Sequence, residues 1–548
     1  MAHALAGKPV QEQDIIDVQT IVDAYFDNVP DMTNPTQLVS FGTSGHRGTS
    51  VDGTFTDLHV AAITQAICDG RKQFGATGPI FVGQDTHALS QPALVTVLEV
   101  LAGNGVTAMV DCDMAFVPTP SVSRAIIRYN EEHDDKADGI IITPSHNPPD
   151  NGGIKYNTII GGPADTVVTK WIEMRANEYL TAYCESEDFK RISIDNIEPT
   201  AQVPYDYKGL YVEELGDVIN MEAIKAAGPK VLVDTLGGSG ASYWNAIKER
   251  YGLDLTIIHD DYDPTFSFMT YDHDGKVRMD CSSTYVMASV INRIGDFDLA
   301  VGNDPDYDRY GIVVSSGLIS ANTFLTLAAR YLFTTRGWKH KGVGKTVVCT
   351  TMIDKWAADA ETPVFEVPVG FKYFSQLLFD GAIGIGGEES AGASFLKKDG
   401  TVWTTDKDGM IMALLSMEIM AVMGKSALKM ADEFVEEFGN PSFGRIDAPC
   451  KKEQKQILKQ MSAELITATT VDGDPITNIR TTSLYNDMPI DGVRVETDKG
   501  WFVARPSGTE DLYKIYGESY KGDLGLVALL TAGEEIVNAA LNGTIETE

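Results

Sequence analysis

Short runs of apolar, often β-branched residues alternate with helical stretches between about residues 37 and 200. The runs at 79–82, 107–111 and 139–143 have the length and composition of buried strands, and 93–103 has the apolar spacing of a helix. Alternating strands and helices are typical of a sheet covered by helices. The pattern therefore predicts an α/β domain in this part of the chain.

Two further α/β stretches follow, each after a break in the pattern. The polar segment 186–209 contains two prolines and no clear period, which marks a boundary. The predicted elements of the second stretch are 230–234 (strand), 242–251 (helix) and 299–301 (strand), and those of the third are 322–335 (helix), 346–350 and 382–385 (strands) and a helix after Asp408.

The C-terminal part has a different pattern, which begins after the turn-rich stretch 438–444. A polar helix is predicted over 451–466, then a strand pair turning at 498–500 and a last helix ending near Leu541. Segregated strands and helices indicate an α+β domain. The predicted division is an N-terminal extension with a weak helix (1–36), then domains at 37–205, 206–321, 322–440 and 441–548.

The length and the net charge of the chain limit the classes of partner and substrate that can be expected. A chain of 548 residues is expected to form several domains, and 43% hydrophobic and 22% charged residues are ordinary for a folded globular protein. The formal charge of −34 argues against nucleic acid or an anionic membrane as a partner. A phosphorylated substrate would therefore need a local group of cationic side chains.

The cysteines and the N-terminus fit a reducing, cytoplasmic protein. The six cysteines are widely spaced and lack metal-ligand spacing, so they are expected to be free thiols. No secretory signal is visible at the start, and the apolar stretch 410–424 is interrupted by Ser416 and Glu418. A cytoplasmic location is the expectation.

Two loops at strand ends carry candidate chemistry. The sequence TPSHNPP places Ser145 after the strand 139–143, where α/β sheets place ligands, although a Ser/Asn turn before proline fits this motif equally well. The sequence DPDYDR offers Asp304, Asp306 and Asp308 between two apolar strands. These crowded carboxylates favour a Mg²⁺ site over a solvated turn, and the loop lacks the Gly and Glu of a calcium EF-hand.

Two later loops offer groups for a sugar phosphate. Glu388 and Ser390 follow the strand 382–385 in GGEES, where glycines let a ligand approach the backbone. Arg505, Ser507, Gly508 and Thr509 offer a guanidinium, two hydroxyls and a flexible backbone for an anion. Either loop alone is also compatible with a plain turn.

Two glycine-rich segments resemble nucleotide or nucleophile motifs only superficially. The segment 339–346 (KHKGVGKT) has Lys339 where a P-loop needs its first glycine, and it is followed by a strand rather than a helix. The segment 237–241 (GGSGA) has Ala241 where a nucleophile elbow needs glycine. Neither is expected to bind a nucleotide or to act as a nucleophile.

Together, the four loops in this order resemble those of the α-D-phosphohexomutase family, from about Phe41 to Tyr520. The resemblance implies four domains around a central cleft: three related α/β domains with mixed sheets and a smaller C-terminal α+β domain. It implies one Mg²⁺ per subunit, held by Ser145, Asp304, Asp306 and Asp308, with Ser145 as the phosphoserine.

The resemblance also implies the remaining site residues. His146 and Lys155 accompany the phosphoserine. Of two Lys-Asp-Gly segments, only the one with Lys407 opens an apolar helix as in the family, so Lys407 is the expected general acid or base rather than Lys398. The implied substrate-binding residues are Thr43, Arg47, Arg309, Lys372, Glu388, Ser390, Arg505, Ser507, Gly508 and Thr509.

The implied reaction interconverts glucose 1-phosphate and glucose 6-phosphate through a phosphoserine enzyme and glucose 1,6-bisphosphate, which also serves as activator. Mannose-preferring members carry a histidine where this chain has Gly392, which favours glucose. A metal-dependent phosphatase and a non-catalytic sugar-phosphate sensor are the alternatives. The expected partner is a hexose phosphate, without nucleic acid or membrane, and the expected state is a monomer or homodimer.

Overall fold

The computed structural model describes residues 2–42, 45–184, 189–425, 427–506 and 512–545. They form two compact units. The first comprises Met1–Ala321, Phe374–Gly381 and Ser390–Leu428, and the second comprises Asn322–Tyr373, Ala382–Glu389 and Lys429–Glu548.

The first unit begins with an α/β region around a six-stranded sheet. Its elements are α1 (Val18–Asp27), β1 (His46–Thr49), α2 (Asp57–Gly70), β2 (Ile80–Gln84), α3 (Ser90–Gly103), β3 (Ala108–Asp111), α4 (Thr119–Glu132), β4 (Asp138–Ile142), β5 (Asn151–Asn157), α5 (Thr166–Cys184) and β6 (Gln202–Tyr205). The strand order is β1-β5-β4-β2-β3-β6. β2, β3, β4 and β6 run parallel, whereas β5 is antiparallel to both β4 and β1.

A second mixed sheet of five strands follows in the same unit. Its elements are α6 (Tyr207–Val218), α7 (Met221–Ala227), β7 (Val231–Asp234), α8 (Ala241–Tyr251), β8 (Leu255–Ile258), α9 (Ala288–Ile291), β9 (Leu299–Asn303), β10 (Tyr310–Val314) and β11 (Gly317–Leu318). The order is β11-β10-β9-β7-β8, with β7, β8 and β9 parallel and β10 antiparallel. Because β2, β3, β4 and β5 follow the same scheme, the two sheets are related in topology.

The next region repeats the parallel part of this scheme. Its elements are α10 (Ala321–Arg336), β12 (Gly342–Thr346), α11 (Met352–Asp359), β13 (Val364–Val367), α12 (Lys372–Phe379), β14 (Ile383–Gly387), β15 (Ala393–Phe395), α13 (Gly409–Met423) and α14 (Ala427–Phe438). In the second unit β12 lies between β13 and β14, parallel to both. β15 and α13 belong to the first unit, where α13 contacts α7, β9 and β10.

The C-terminal region is an antiparallel sheet with helices, as expected for an α+β domain. Its elements are β16 (Ser442–Pro449), α15 (Lys452–Lys459), β17 (Thr470–Val471), β18 (Asp474–Thr482), β19 (Pro489–Thr497), β20 (Gly500–Pro506), β21 (Leu512–Ser519) and α16 (Gly522–Ile545). The order is β16-β21-β20-β19-β18-β17. The mixed α/β sheets and this last sheet confirm the predicted fold class.

Two predicted elements differ from those in the structure. The strand predicted at 346–350 is largely the turn after β12, which ends at Thr346. The helix predicted over 451–466 ends at Lys459, and a short 3-10 turn follows at Ala463–Leu465. Ser462, before that turn, has extended backbone angles (φ −97°, ψ 158°), which breaks the helix although apolar residues continue on both sides of the break.

The N-terminal extension lies along both sheet regions of the first unit. The backbone amides of His3, Gly7 and Val10 donate to carbonyls in the segment 269–273, which follows β8. Farther along, α1 contacts α2, and the Tyr25 hydroxyl bonds Thr96 on α3 at 2.9 Å. The extension therefore ties the two regions together.

The apolar C-terminal helix belongs to a core. Among the described residues, Gly522–Asn542 of α16 is the one continuous helix long and apolar enough to cross a membrane. Leu529, Leu530, Val537 and Leu541 of α16 are buried in the core of the C-terminal sheet. A buried side chain of this size contributes about 1.5–3 kcal/mol to stability.

Candidate active site

The first unit brings a buried serine into contact with the acidic loop. Ser145 follows β4, the loop 304–309 joins β9 to β10, and Ser145 and the three aspartates are at most 1% exposed. The Ser145 hydroxyl donates to Asp304 Oδ2 at 2.8 Å, although 159 residues separate them. Apolar strands thus place a nucleophilic oxygen beside carboxylates inside the protein.

Ser145 has an unfavourable backbone conformation. Its φ of +62° lies in the left-handed region, which costs a residue with a side chain about 1–2 kcal/mol. Strain of this kind persists only where the surrounding structure enforces it, and it is found at functional loops. Here the Ser145 amide donates to the Thr143 hydroxyl at 2.8 Å.

Two lysines face the aspartates. Lys155 on β5 is 4% exposed, and its Nζ lies 2.6 Å from Asp306 Oδ2 and 3.1 Å from Asp308 Oδ2. Lys407 lies two residues before α13, and its Nζ is 2.9 Å from Asp308 Oδ2. The local positive charge that the acidic composition demands is therefore present.

The protonation of these groups follows from their neighbours. Burial raises the pKa of Asp304 well above its usual range, and Asp306 and Asp308 raise it further. Burial opposes the charge on Asp308, but Lys155 and Lys407 hold its pKa well below the usual range. Burial likewise opposes the charge on Lys155, yet Asp306 and Asp308 raise its pKa above that of a free lysine. These aspartates thus hold Lys155 in its charged form.

His146 differs from the sequence-based expectation. A histidine beside a phosphoserine is expected to be a cation, but burial and the nearby Arg309 lower the pKa of His146 to about 3. The imidazole is therefore neutral near pH 7. Its Nδ1 lies 3.4 Å from Ser145 Oγ, so it contributes a hydrogen-bonding group rather than a charge.

Two arginines complete the polar surroundings of the loops. Arg47 on β1 donates to the Asn147 side chain at 3.3 Å. The Arg309 guanidinium lies 3.7 Å from Asp280 and 3.8 Å from Asp308. The backbone of Arg309 also bridges Gly392, just beyond Ser390 in the first unit.

The acidic loop fits a hard divalent cation. One carboxylate oxygen from each of Asp304, Asp306 and Asp308 lies within 4.8 Å of the others. Asp306 Oδ1 and Asp308 Oδ1 are buried and accept no hydrogen bond from any residue that the structure describes. Buried oxygens without donors are costly, and a Mg²⁺ ion bound by carboxylates would satisfy them.

The other predicted site residues lie outside the serine loop and the acidic loop. Lys372 begins α12 and Glu388 follows β14, both in the second unit, and Ser390 belongs to the first. Arg505 on β20 donates to the Ile490 carbonyl at 2.8 Å. Thr43, Ser507, Gly508 and Thr509 lie outside the described residues.

The glycine-rich segment 237–241 has a supporting role that the sequence did not reveal. Tyr307, in the acidic loop, is fully buried with a φ of +62°. A Cβ on Gly240 would lie 2.4 Å from its ring, and one on Gly238 would lie 2.8 Å from Pro305. The two glycines therefore leave space for the acidic loop. Ser239 also fixes that loop, because its hydroxyl donates to the Pro305 carbonyl at 2.8 Å.

Other contacts of the site were also missed from sequence. Thr119 donates to Asp306 Oδ2 at 2.7 Å, and Asp85 accepts from Thr143 at 2.6 Å. Both follow a strand or a proline turn, but polar residues at such places are common. Only the fold shows that they meet the serine loop and the acidic loop.

The sequence is similar to those of known proteins along most of its length. Models of the phosphoglucomutase/phosphomannomutase family match in four parts: alpha/beta/alpha domain I at residues 38–182, domain II at 210–317, domain III at 320–438 and the C-terminal domain at 447–524. A phosphoglucomutase of Komagataeibacter xylinus is 46% identical over 97% of both chains. Phosphoglucomutase 1 of Saccharomyces cerevisiae is 27% identical over 88% of both.

Solved structures support the fold. A putative phosphomannomutase from Thermus thermophilus superposes with a TM-score of 0.71 at 24% identity, covering 91% of this chain and 99% of that one. Parafusin from Paramecium gives a TM-score of 0.71 at 19% identity, covering 94% and 96%. With the matches along the sequence, these findings lead to one conclusion: the chain belongs to the phosphoglucomutase/phosphomannomutase family.

Proposed function

We propose that this protein is a phosphoglucomutase, an isomerase that interconverts α-D-glucose 1-phosphate and D-glucose 6-phosphate. The observation that carries the proposal is the strained, buried Ser145, whose hydroxyl contacts Asp304 within a group of carboxylates and lysines. The similarity to a phosphoglucomutase at 46% identity over 97% of the chain supports the substrate.

In the proposed reaction, Ser145 carries a phosphoryl group that passes to the 6-hydroxyl of glucose 1-phosphate. The Ser145 Oγ–P bond breaks as the bond from the 6-oxygen to phosphorus forms, and Lys407 takes the proton of that hydroxyl, which ends on the leaving Ser145 Oγ. Glucose 1,6-bisphosphate then turns over. The Ser145 Oγ forms a bond to the 1-phosphoryl group as the bond from the 1-oxygen to phosphorus breaks, and the Ser145 proton passes through Lys407 to the 1-oxygen. Atoms and charge balance over the cycle.

Positioning and charge stabilisation supply most of the rate in phosphoryl transfer. Ser145, Asp304, Asp306 and Asp308 would hold Mg²⁺, which supplies charge neutralisation at the transferred phosphoryl group. Lys155, Arg47 and Arg309 add fixed positive charge around Ser145. His146 offers a neutral hydrogen-bonding group.

The remaining assignments follow the family resemblance. Glu388 and Ser390 are assigned to the sugar hydroxyls. Phosphate recognition is assigned to Arg505, Ser507, Gly508 and Thr509. Thr43 and Lys372 are assigned to substrate binding without a more specific role. Domain limits at 205, 321 and 440, a cytoplasmic location and a monomeric or dimeric state remain predictions that accompany this proposal.

The direct test replaces the nucleophile. Ser145→Ala should lower turnover of glucose 1-phosphate by about 10³-fold or more, the scale of losing an activated nucleophile. Turnover is measured with glucose 1,6-bisphosphate and Mg²⁺ present, by coupling glucose 6-phosphate to its dehydrogenase. The matched control is Ser50→Ala, which removes another buried serine, bonded at 2.7 Å to the Ile21 carbonyl, and should keep activity.

Two further readouts separate this proposal from its alternatives. Intact mass should show one added phosphate on the wild type after incubation with glucose 1,6-bisphosphate, and none on Ser145→Ala. Glucose 1-phosphate should be converted faster than mannose 1-phosphate. Release of inorganic phosphate as the main product would indicate a phosphatase, and full turnover by Ser145→Ala would overturn the scheme.

A further inference from the structure

Asp85 is a buried carboxylate that the proposed mechanism does not use. It directly follows β2 and is fully buried. Its oxygens accept four hydrogen bonds: from the Thr143 hydroxyl at 2.6 Å, the Ser90 hydroxyl at 2.5 Å, the His87 amide at 3.0 Å and His87 Nδ1 at 2.8 Å. A carboxylate with so many donors is held in one orientation.

The first connection from Asp85 reaches Thr143, two residues before Ser145. Thr143 uses its hydroxyl proton on Asp85, so a lone pair of the same oxygen is available to accept. The Ser145 amide donates to it at 2.8 Å. Asp85 thereby fixes the position of the Ser145 backbone nitrogen through one intervening hydroxyl.

The second connection runs through His87 and reaches Asn147, two residues after Ser145. His87 is 1% exposed, and its Nε2 lies 3.0 Å from the Asn147 carbonyl oxygen. Because the carboxylate at Nδ1 and the carbonyl at Nε2 are both acceptors, both ring nitrogens are donors. The Phe266 ring lies against the imidazole, with 5.1 Å between ring centroids.

The two connections hold a strained residue between them. Ser145 has a φ of +62°, and this conformation directs its hydroxyl to Asp304. Without tethers at Thr143 and Asn147 the loop would relax towards a commoner conformation, since the left-handed region is costly for serine.

We propose that Asp85 and His87 are positioning residues that clamp the Ser145 loop from both sides and so set the attack geometry of its hydroxyl. The inference rests on the proposed function, because it concerns the residue assigned as phosphoryl acceptor. Neither residue touches the reacting atoms. Their effect is expected in kcat and in the rate of Ser145 phosphorylation, since misplacing a reacting group by about 1 Å can cost about 10²-fold in rate.

The test compares two replacements of His87 in the full-length protein. His87→Leu removes both ring donors and should lower kcat for glucose 1-phosphate by about 30- to 100-fold, with KM nearly unchanged. His87→Gln keeps an N–H that can reach the Asn147 carbonyl and should recover much of that loss. Phosphorylation of Ser145 by glucose 1,6-bisphosphate, followed by intact mass, should slow in the same order.

A matched control and a second pair of variants guard against misfolding. Thr96→Val removes a buried hydroxyl with hydrogen bonds to Tyr25 and Asp57 and should keep the wild-type kcat. If His87→Leu does not fold, Thr143→Val and Thr143→Ser test the other tether: the valine variant should lose kcat, and the serine variant should retain it.

The outcomes separate this inference from the proposed function. If the wild type accepts no phosphate on Ser145, the proposed function fails and the inference fails with it. If the wild type is phosphorylated and the tether-removing variants match its kcat and phosphorylation rate, only the inference is overturned. A lower thermal stability with unchanged kcat per folded molecule would also overturn it, since that result indicates a structural role alone.

Discussion

Each compact unit contains a buried group of charges, and the two groups differ in how their oxygens are satisfied. In the first unit, the acidic cluster consists of Asp304, Asp306 and Asp308. In the second unit, the paired cluster consists of two acids and two arginines: Glu366, Arg480, Arg494 and Glu496. Both combine charge with burial, which is costly unless each charge has partners.

The paired cluster satisfies its own oxygens. Glu366 accepts from Arg480 at 2.5 and 2.9 Å, and Glu496 accepts from Arg494 at 2.6 Å and from the Asn478 side chain at 2.9 Å. Burial opposes the charge of Glu496, yet Arg494 and Arg480 lower its pKa to about 2. All four carboxylate oxygens accept a hydrogen bond, although Arg480 Nε is buried without a partner among the described residues. Carboxylates paired in this way are expected to have a structural role.

The acidic cluster leaves oxygens without donors. Asp306 Oδ1 and Asp308 Oδ1 accept no hydrogen bond from the part of the chain that the structure describes, and burial with like-charged neighbours raises the pKa of Asp304. These buried oxygens without donors lower the stability of the folded protein. The two clusters indicate that buried carboxylates whose oxygens lack donors belong to a functional site, whereas buried carboxylates whose oxygens are all paired serve the structure.

The largest expected effect is on turnover, when one acid of the acidic cluster is neutralised. Asp304→Asn should lower turnover of glucose 1-phosphate by about 10³-fold, or about 4 kcal/mol in the barrier, because the Mg²⁺ site loses a ligand charge. The coupled assay with Mg²⁺ present measures the loss. Unchanged turnover by Asp304→Asn would contradict the functional role assigned to the acidic cluster.

The next effect is on stability, when one base of the paired cluster is removed. Arg480→Met should lower the unfolding free energy by about 3 kcal/mol, because Glu366 stays buried without its partner. Urea unfolding measures this loss, and turnover corrected for the folded fraction should persist. The control is Arg445→Met, whose ion pair with Asp447 is 40% exposed on both sides and should contribute at most about 1 kcal/mol.

Mg²⁺ is expected to stabilise the folded protein by binding to the acidic cluster. At about 100 times the dissociation constant, Mg²⁺ should stabilise the wild type by about 2.7 kcal/mol, because it binds only the folded acidic cluster. Thermal unfolding in MgCl₂ and in EDTA at matched ionic strength measures the shift. Mg²⁺ should stabilise the Asp306→Asn variant clearly less than the wild type. An equal gain in both proteins would mean that Mg²⁺ binds elsewhere.

The smallest expected effect concerns pH and the paired cluster. The folded pKa of Glu496 is about 2, below its ordinary value of 4.5, so its contribution is present above pH 4.5 and is lost as pH falls towards 2. Glu496→Gln should therefore be less stable than the wild type by about 2 kcal/mol near pH 7. Chemical unfolding at several pH values should show this difference shrinking below pH 4.5. A constant difference would assign it to lost packing instead.

Local patterns were sufficient to predict the elements that hold the acidic cluster. The strands before Ser145 and Asp304 are apolar runs that end in polar residues, and neighbouring strand ends meet at one edge of a sheet. The α/β class followed from the same alternation. The helix predicted over 451–466 was too long, because apolar spacing continues through Ser462 although the backbone does not.

Partners distant in sequence could not be predicted from local patterns, and only the family resemblance placed the serine loop and the acidic loop in one site. Lys155 contacts Asp306 across 151 residues, and nothing in the sequence around either residue specifies the other. The clamp from Asp85 and the glycines packed against Tyr307 depend likewise on tertiary contacts. The neutral state of His146 follows from burial beside Arg309, which only the fold determines.

The long sequence separations within the acidic cluster have a consequence for synthesis. A ribosome releases the chain from its N-terminus, and domains fold as they emerge. The Ser145 loop emerges together with its tethers at Asp85 and His87, but Asp304 follows 159 residues later, and Asp406, which bonds Asn157, follows that residue by 249. A nascent or truncated chain that ends before residue 304 therefore contains the serine loop without the aspartates and Lys407 that the proposed phosphoryl transfer requires. The proposed chemistry becomes available only after residue 407 has been made.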